Sequence, residues 1–472
     1  MRGRLRACLF AALATLLAAA AHGDAGGRMP ARATGFPFET RARAIAGHRT
    51  KSARFLLLNG SWAFSFVRDA RDVPYGFQRT DHDVSGWGTI MVPGDWRAAG
   101  FDRPCAATAE HCPSAAPDPV GLYRRVVTIP PEWTGQDVIL HLGAAGPAYR
   151  VWVNGRAVGG SDDATLPGEF DVSRFVRAGR NLIAIRVGRD GMRGESPASS
   201  CRTDAGIMRE VFLMAAPPTR IRDLFVHAGL SGDQRDGLLS IDVAVTKGAV
   251  TEARYVLMDG DQTVLQGRRA VPGGGGERRA TLTGRLAGVR PWAAETPNLY
   301  FLLVELYDAR GAIIQSTYQR IGFRTVRLRD GAMMVNGRAV PLRNAVRPDA
   351  DRTAFRPDDR DRMERDIVAM KQAGITMLRT GCHPQDPYLY ELADRYGLYV
   401  ADGAAVGGGL ARSVAVRRVT DMIARDRNHP SIILWSAQDA RVKGLWRAAR
   451  ARDAGRPFGT VNAQGRVVAG VR

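Results

Sequence analysis

Residues 425–440 read Arg425-Asp426-Arg427-Asn428-His429-Pro430-Ser431-Ile432-Ile433-Leu434-Trp435-Ser436-Ala437-Gln438-Asp439-Ala440. The stretch predicts a helix end, a turn at His429-Pro430 and a short buried strand over Ile432–Trp435, an apolar run of strand length. Asn428 can bond its local backbone there, and Pro430 stops the helix. Upstream, Met363, Ile367 and Met370 recur at helical spacing over 361–373. A strand over 375–378, a helix over 386–396, a strand over 398–401 and a helix over 414–425 follow. Another helix is expected over 445–451. Strand and helix alternate as in a (β/α) barrel. With 341–346 as the first strand, four strands are expected, and 458–461 is a weak fifth. A closed barrel of this kind has eight. The expectation for 326–472 is therefore an incomplete TIM barrel lacking its C-terminal half.

Two strand-rich stretches precede it. Over 51–217, strands such as 138–142 and 181–187 are separated by turn signals at Asn154-Gly155 and Ala178-Gly179, which predicts a β-sandwich. Over 218–325, the alternation at 239–245, a strand at 299–307 and a loop at Gly273–Gly276 suit an immunoglobulin-like sandwich. Residues 24–50 are rich in Ala, Arg and Gly and read as a loose leader.

The first 23 residues have the pattern of a signal peptide. Arg2, Arg4 and Arg6 form a basic start, 7–21 is almost wholly apolar, and Ala21-His22-Gly23 suits cleavage. The alternative is a membrane anchor, for which the apolar run is short. A secreted or periplasmic location is expected, with no membrane span in the mature chain. Of five cysteines, Cys8 leaves with the signal. Cys105 and Cys112, flanking a short loop, are the expected disulfide; free thiols are the alternative. Cys201 and Cys382 complete the set. No Cys/His spacing suits zinc, so neither a metal nor a cofactor is expected. The formal net charge is +20, nearly all of it arginine. The arginines are spread over every segment rather than gathered on one element, which argues against nucleic acid as a partner.

The 425–440 stretch closely resembles RDRNHPSI-x-x-WS-x-x-NE of glycoside hydrolase family 2, the β-galactosidase and β-glucuronidase family. Leu58-Asn59-Gly60-Ser61-Trp62-Ala63-Phe64 is similar to the family's L-N-G-x-W-x-F. Val92-Pro93-Gly94-Asp95-Trp96, Tyr123-Arg124-Arg125 and Val151-Trp152-Val153-Asn154-Gly155 match its next motifs. Gly322-Phe323-Arg324, Val335-Asn336-Gly337-Arg338, the 370–380 run and Ala393–Val400 continue the resemblance in order. It implies a galactose-binding-like jelly roll at 51–217, the immunoglobulin-like sandwich and the barrel.

The family's chemistry needs two carboxyl groups about 5–5.5 Å apart. Its acid/base is the Glu that closes the quoted motif, and here Ala440 holds that position. A methyl group cannot protonate a leaving oxygen. The family nucleophile is a Glu on a later barrel strand, whereas Glu391 is the last glutamate of this sequence and is expected to face solvent or a neighbouring helix. No catalytic residue is therefore assigned. Asp439 stands where the family has a sugar-contacting Asn. It can replace that contact or act as a displaced acid, although a one-residue shift in an extended segment reverses its face. Gly403 replaces a substrate-site carboxylate, Cys382 and His383 replace a His-Tyr pair, and 344–349 lacks the family's RHE.

Arg379, Asp402, His383, Trp435 and Asp439 remain as candidate substrate contacts. The structural alternatives are an Arg379–Asp402 pair, Trp435 as barrel wall and His383 as a polar loop residue. The resemblance thus implies a protein of carbohydrate metabolism resembling β-galactosidase, catalytically inactive, with carbohydrate binding by the sandwich. The alternatives are an active O-glycosyl hydrolase with relocated acids, a structural or interaction protein, or a truncated gene product. A half barrel would expose apolar edges and faces, so a homo-oligomer or a covering partner is expected.

Overall fold

The computed structural model describes residues 27–101, 118–163, 165–188, 205–246, 248–346, 359–381, 383–406, 410–437, 442–461 and 466–469. The expected signal peptide, the Cys105–Cys112 pair, Cys201, Cys382, Asp439 and Ala440 lie outside the described residues.

The first domain is a two-sheet sandwich. One sheet orders Gly88–Val92, Gly60–Val67, Val120–Ile129, Gly179–Val187, Tyr149–Val153 and Arg156–Ser161; the other orders Phe55–Leu57, Val211–Ala216, Asp137–Leu142 and Gly168–Asp171. Alternation directs Trp62, Phe64, Tyr123, Val151 and Ile183 from one sheet, and Leu140 and Leu213 from the other, into a common core. The Asn154-Gly155 turn has φ of 51° and 79°, the left-handed pair that a tight hairpin needs. The Asn154 amide also donates to Phe175 O at 2.9 Å and accepts from Leu182 N at 2.9 Å.

The second domain packs Ile221–Leu230, Gly237–Val245 and Arg278–Leu286 against Gln262–Ala270, Glu252–Asp259, Tyr300–Tyr307 and Ile313–Ile321. This is a seven-stranded immunoglobulin-like sandwich, with Ile241, Val243, Leu257, Leu302 and Val304 fully buried between its sheets.

In the third domain, strand β1 (Asn344–Val346), helix α1 (Asp359–Gln372), β2 (Met377–Arg379), α2 (Pro387–Tyr396), β3 (Tyr399–Ala404), α3 (Arg412–Asp426), β4 (Ile432–Ala437) and α4 (Leu445–Arg452) alternate. All four strands run parallel in the order β1-β2-β3-β4. Asp386 caps α2 by accepting from Tyr388 N, and Gly397 ends it in the left-handed region. The expected fifth strand is only partly one: Phe458 makes a parallel bridge to Trp435, but Gly459–Val461 pairs antiparallel with Val467–Ala469.

Two expectations are corrected. The leader is not loose from residue 27 onward. Phe38 is 1% exposed and pairs with Ser316; Arg32 binds Glu169 at 2.7 Å, and Arg41 binds Glu305 at 2.5 Å. Its arginines have carboxylate partners far along the chain, so local composition does not reveal the docking. Nor are the apolar strand faces of the half barrel left bare. Met377, Tyr399, Ala401, Ile433 and Leu434 are buried in one cluster with Val326, Met333, Val335 and Trp292. The small sheet over 326–339 and the 459–469 hairpin cover that face.

Candidate functional site

Strand alternation decides what each barrel residue faces. Val400 and Ala404 belong to the cluster that includes Leu389, Tyr390 and Met422 of the helices. Asp402 lies between them in β3 and shares their face. Its carboxylate is fully buried, accepting from the Tyr390 hydroxyl at 2.5 Å and the Thr380 hydroxyl at 3.2 Å. Thr380 Oγ1 in turn accepts from Gly403 N at 2.8 Å. Burial first, then the nearby Asp426 carboxylate, raises the Asp402 carboxyl to about 8. Asp402 is thus a neutral hydrogen-bonded anchor between strand and helix, and the expected sugar contact is not presented to a ligand.

The other candidates divide. Arg379 is half-buried at the end of β2, and among the described residues it is not ion-paired with Asp402. Trp435 is fully buried; its Nε1 donates to Asp453 at 2.9 Å, and Arg456 stacks on its ring at 5.1 Å. It is a wall residue. His383 is half-buried in the loop after β2, where its carbonyl accepts from Gln385 Nε2 at 3.0 Å. With Asp402 and Trp435 fully buried and Arg379 and His383 half-buried, the described residues do not present these four side chains together to a ligand. Among the described residues no group of three His, Cys, Asp or Glu side chains is placed to hold a metal ion, and no helix is long and apolar enough to cross a membrane.

The segment 427–431 is instead a junction between domains. Asn428 does not bond its local backbone. Its Oδ1 accepts from Val226 N at 2.9 Å and its Nδ2 donates to Leu224 O at 2.9 Å, on the immunoglobulin-like sandwich. Arg427 pairs with Asp223 of the same strand. Arg324 donates to Pro430 O, and to Ile432 O at 2.7 Å. Burial, then the charge of Arg456, lowers the Arg324 guanidinium to about 9. A Cβ on Gly322 would lie 2.6 Å from Trp292 and 3.0 Å from Pro430, so only glycine fits this approach. His429 Nδ1 contacts Asp394 at 2.6 Å, and Asp394 also accepts from Ser431 N at 2.9 Å. Burial lowers the His429 imidazole, but the Asp394 carboxylate outweighs it and the net shift is upward. Lys371 donates to Ala294 O at 2.9 Å and Gly397 O at 2.7 Å. The two motif stretches around 322–324 and 427–431 thus meet each other at the junction.

The sandwich reaches the barrel as well. Leu166 is 2% exposed within the barrel's helical core cluster. Asp163 pairs with Arg418 at 3.4 Å, and Arg209 donates to Pro384 O at 2.6 Å.

Glu391 stands on the outer face of α2, not at a strand end. It lines a cleft of about 560 Å³ bounded by α2, the four-stranded sheet of the first domain, the 28–50 segment and strand Ile313–Ile321. Its side chain is exposed at the cleft; partial loss of water there raises its carboxyl above the ordinary range, against the opposing charges of His429 and Arg360. Sequence reasoning placed Glu391 on the helix surface but not in this cleft, whose walls come from distant segments.

The architecture is two β-sandwiches carrying a parallel (β/α) sheet. Three family models match in succession: "Glycosyl hydrolases family 2, sugar binding domain" over 55–217, "Glycosyl hydrolases family 2" over 219–324, and "Glycosyl hydrolases family 2, TIM barrel domain" over 326–469. The chain belongs to glycosyl hydrolases family 2. It is 32% identical over 450 residues to a β-galactosidase of Priestia megaterium, covering 87% of this chain and 43% of that protein. A β-galactosidase of Photobacterium profundum is 32% identical over 406 residues, covering 80% and 39%. The chain thus spans about two fifths of the length of these curated relatives. Among solved structures, a β-glucuronidase of Bacteroides uniformis superposes with a TM-score of 0.73 at 22% identity, covering 86% of this chain and 52% of that one. A β-glucuronidase of Bifidobacterium dentium gives 0.72 at 21%, covering 89% and 77%.

Proposed function

We propose that this chain is an exported carbohydrate-binding member of family 2 that does not turn over glycosides by itself. The supporting observation is where its carboxyl groups stand. Asp402 is committed to Tyr390 and Thr380, and Glu391 lies on the outer face of α2 rather than at a strand end. With Ala440 at the acid/base position of the motif, that position supplies no proton to a leaving oxygen. Sugar binding falls to the sandwich at 51–217, matched by the family's sugar-binding model. Export rests on the basic, apolar and small-residue pattern of the first 23 residues. Strand β1 has a free edge in the described sheet, and pairing of two copies there is the oligomer we expect.

The test is turnover of a panel of nitrophenyl β-galactosides and β-glucuronides by the wild type, Ala440→Glu and Asp439→Ala. No turnover above background is expected from any of them. Wild-type activity abolished by Asp439→Ala would establish a relocated acid and overturn the reading. Size-exclusion chromatography giving only monomer would remove the pairing through β1.

A further inference from the structure

Arginines are spread through the chain, but the carboxylates that pair with them are not. Arg41 pairs with Glu305, Arg290 with Asp259 and Arg427 with Asp223. Helices α1, α2 and α3 each contain acidic residues, among them Glu364, Asp394 and Asp421. Helix α4 contains none. Its Leu445 and Ala449 turn into the helical core, while Arg447, Arg450 and Arg452 are exposed. Lys443, just before the helix, is exposed as well. The exposed Arg412 reaches the same place from the start of α3: a Cβ on Gly444, the N-cap of α4, would lie 2.6 Å from its Nη2. Among the described residues none of these five cations has a carboxylate partner. Asp453, the next acid along the chain, is buried and bonded to Arg456 and Trp435.

The helix itself does not call for this arrangement. Like charges three residues apart, as at Arg447 and Arg450, repel. The macrodipole favours cations at the C-terminal end, which suits Arg450 and Arg452, but disfavours them at the start, where Lys443 and Arg412 stand. Packing uses only the opposite face. Trp446 is half-buried at the edge between the two faces, with Arg450 over its ring at 5.3 Å. An indole held with one side apolar and one side wet suits the boundary between lipid headgroups and chains.

We propose that the exposed face of α4 docks on an anionic phospholipid surface. This does not depend on sugar binding. The patch is short, about 12 Å for the helix at 1.5 Å per residue, and convex. The apolar side of α4 is committed to the core, so the helix lies on the headgroups and does not insert. Lipid phosphates supply the counter-charge that the chain itself does not. Nucleic acid fits less well, because α4 presents a convex face rather than a groove that tracks a phosphate backbone, and one half-buried indole is no platform for successive bases.

The experiment is cosedimentation of the full chain with vesicles of phosphatidylcholine alone, or of phosphatidylcholine with an equal part of phosphatidylglycerol. The wild type is compared with the combined variant Arg447→Gln, Arg450→Gln, Arg452→Gln, and with its charge-keeping counterpart Arg447→Lys, Arg450→Lys, Arg452→Lys. A third variant removes the same charge from scattered exposed positions: Arg269→Gln, Arg327→Gln, Arg338→Gln. Each basic residue near an anionic surface is worth about fivefold in partitioning. The α4 glutamine variant should therefore bind the anionic vesicles about a hundredfold more weakly, and the other two variants within about fivefold of wild type. Salt at about 1 M should release the wild type. All the substituted side chains are exposed, so unchanged urea midpoints are expected and show that each variant is folded. Equal binding to both kinds of vesicle overturns the proposal. An equal loss in the scattered variant assigns the binding to the net charge of +20 and overturns the role of α4. Duplex DNA that displaces the chain from the vesicles at equal phosphate concentration makes the face a general polyanion surface and overturns the lipid assignment.

Discussion

Asn428 completes a strand 202 residues away, its Oδ1 accepting the Val226 N–H at 2.9 Å while its Nδ2 donates to Leu224 O. One side chain thus satisfies two buried backbone groups across a domain boundary. Asn428→Ala orphans both, at about 1–3 kcal/mol each. The expected loss is about 2–6 kcal/mol of unfolding free energy, read as a lower urea midpoint. A change below about 0.5 kcal/mol, the usual range of a surface substitution, would show that water replaces the amide.

Asp402→Asn tests the neutral anchor. The folded carboxyl is raised from 3.8 to about 8. Its stabilising contribution is therefore fully present below the unfolded value and lost as pH rises through the folded one. The amide does not titrate. Relative to wild type, Asp402→Asn should gain stability between about pH 5 and about pH 8. Parallel stability curves across that window would contradict a protonated Asp402.

Phe38 is 1% exposed and holds the N-terminal segment against the second sandwich. Removing a buried ring costs about 3–5 kcal/mol when the structure cannot close over it. In Phe38→Ala, limited proteolysis should cut within 28–50 before any other site. An unchanged digestion pattern would mean that the Arg32–Glu169 and Arg41–Glu305 pairs hold the segment alone.

The exported chain should begin near Asp24 and carry a Cys105–Cys112 bond, since an oxidising compartment favours pairing of close cysteines. N-terminal sequencing and non-reducing peptide mapping check the two points separately. An intact Met1 on cytosolic protein would remove the first; both thiols free on exported protein would remove the second.

Periodicity made much of the fold legible. Met363 and Ile367 at helical spacing are buried in the helical layer, and Asn154-Gly155 turns where a hairpin signal predicts. Alternation could also have shown that Asp402 shares a face with Val400 and Ala404. The motif resemblance drew it toward a sugar instead. What local sequence does not encode is the partner of a long polar side chain. Nothing near Arg41 announces Glu305, and nothing near Asn428 announces Val226. The docked leader, the junction at 427–431 and the cleft around Glu391 all depend on such distant pairings. Alternation likewise gives no sign that the small sheet at 326–339 would cap the strand face.

Leu166 belongs by sequence to the first sandwich but sits in the core of the barrel's helices. A protein cut between its domains would lose a piece of the third domain's interior along with the first. The three units are therefore poor building blocks for transplantation, and each is expected to melt only when its neighbours do.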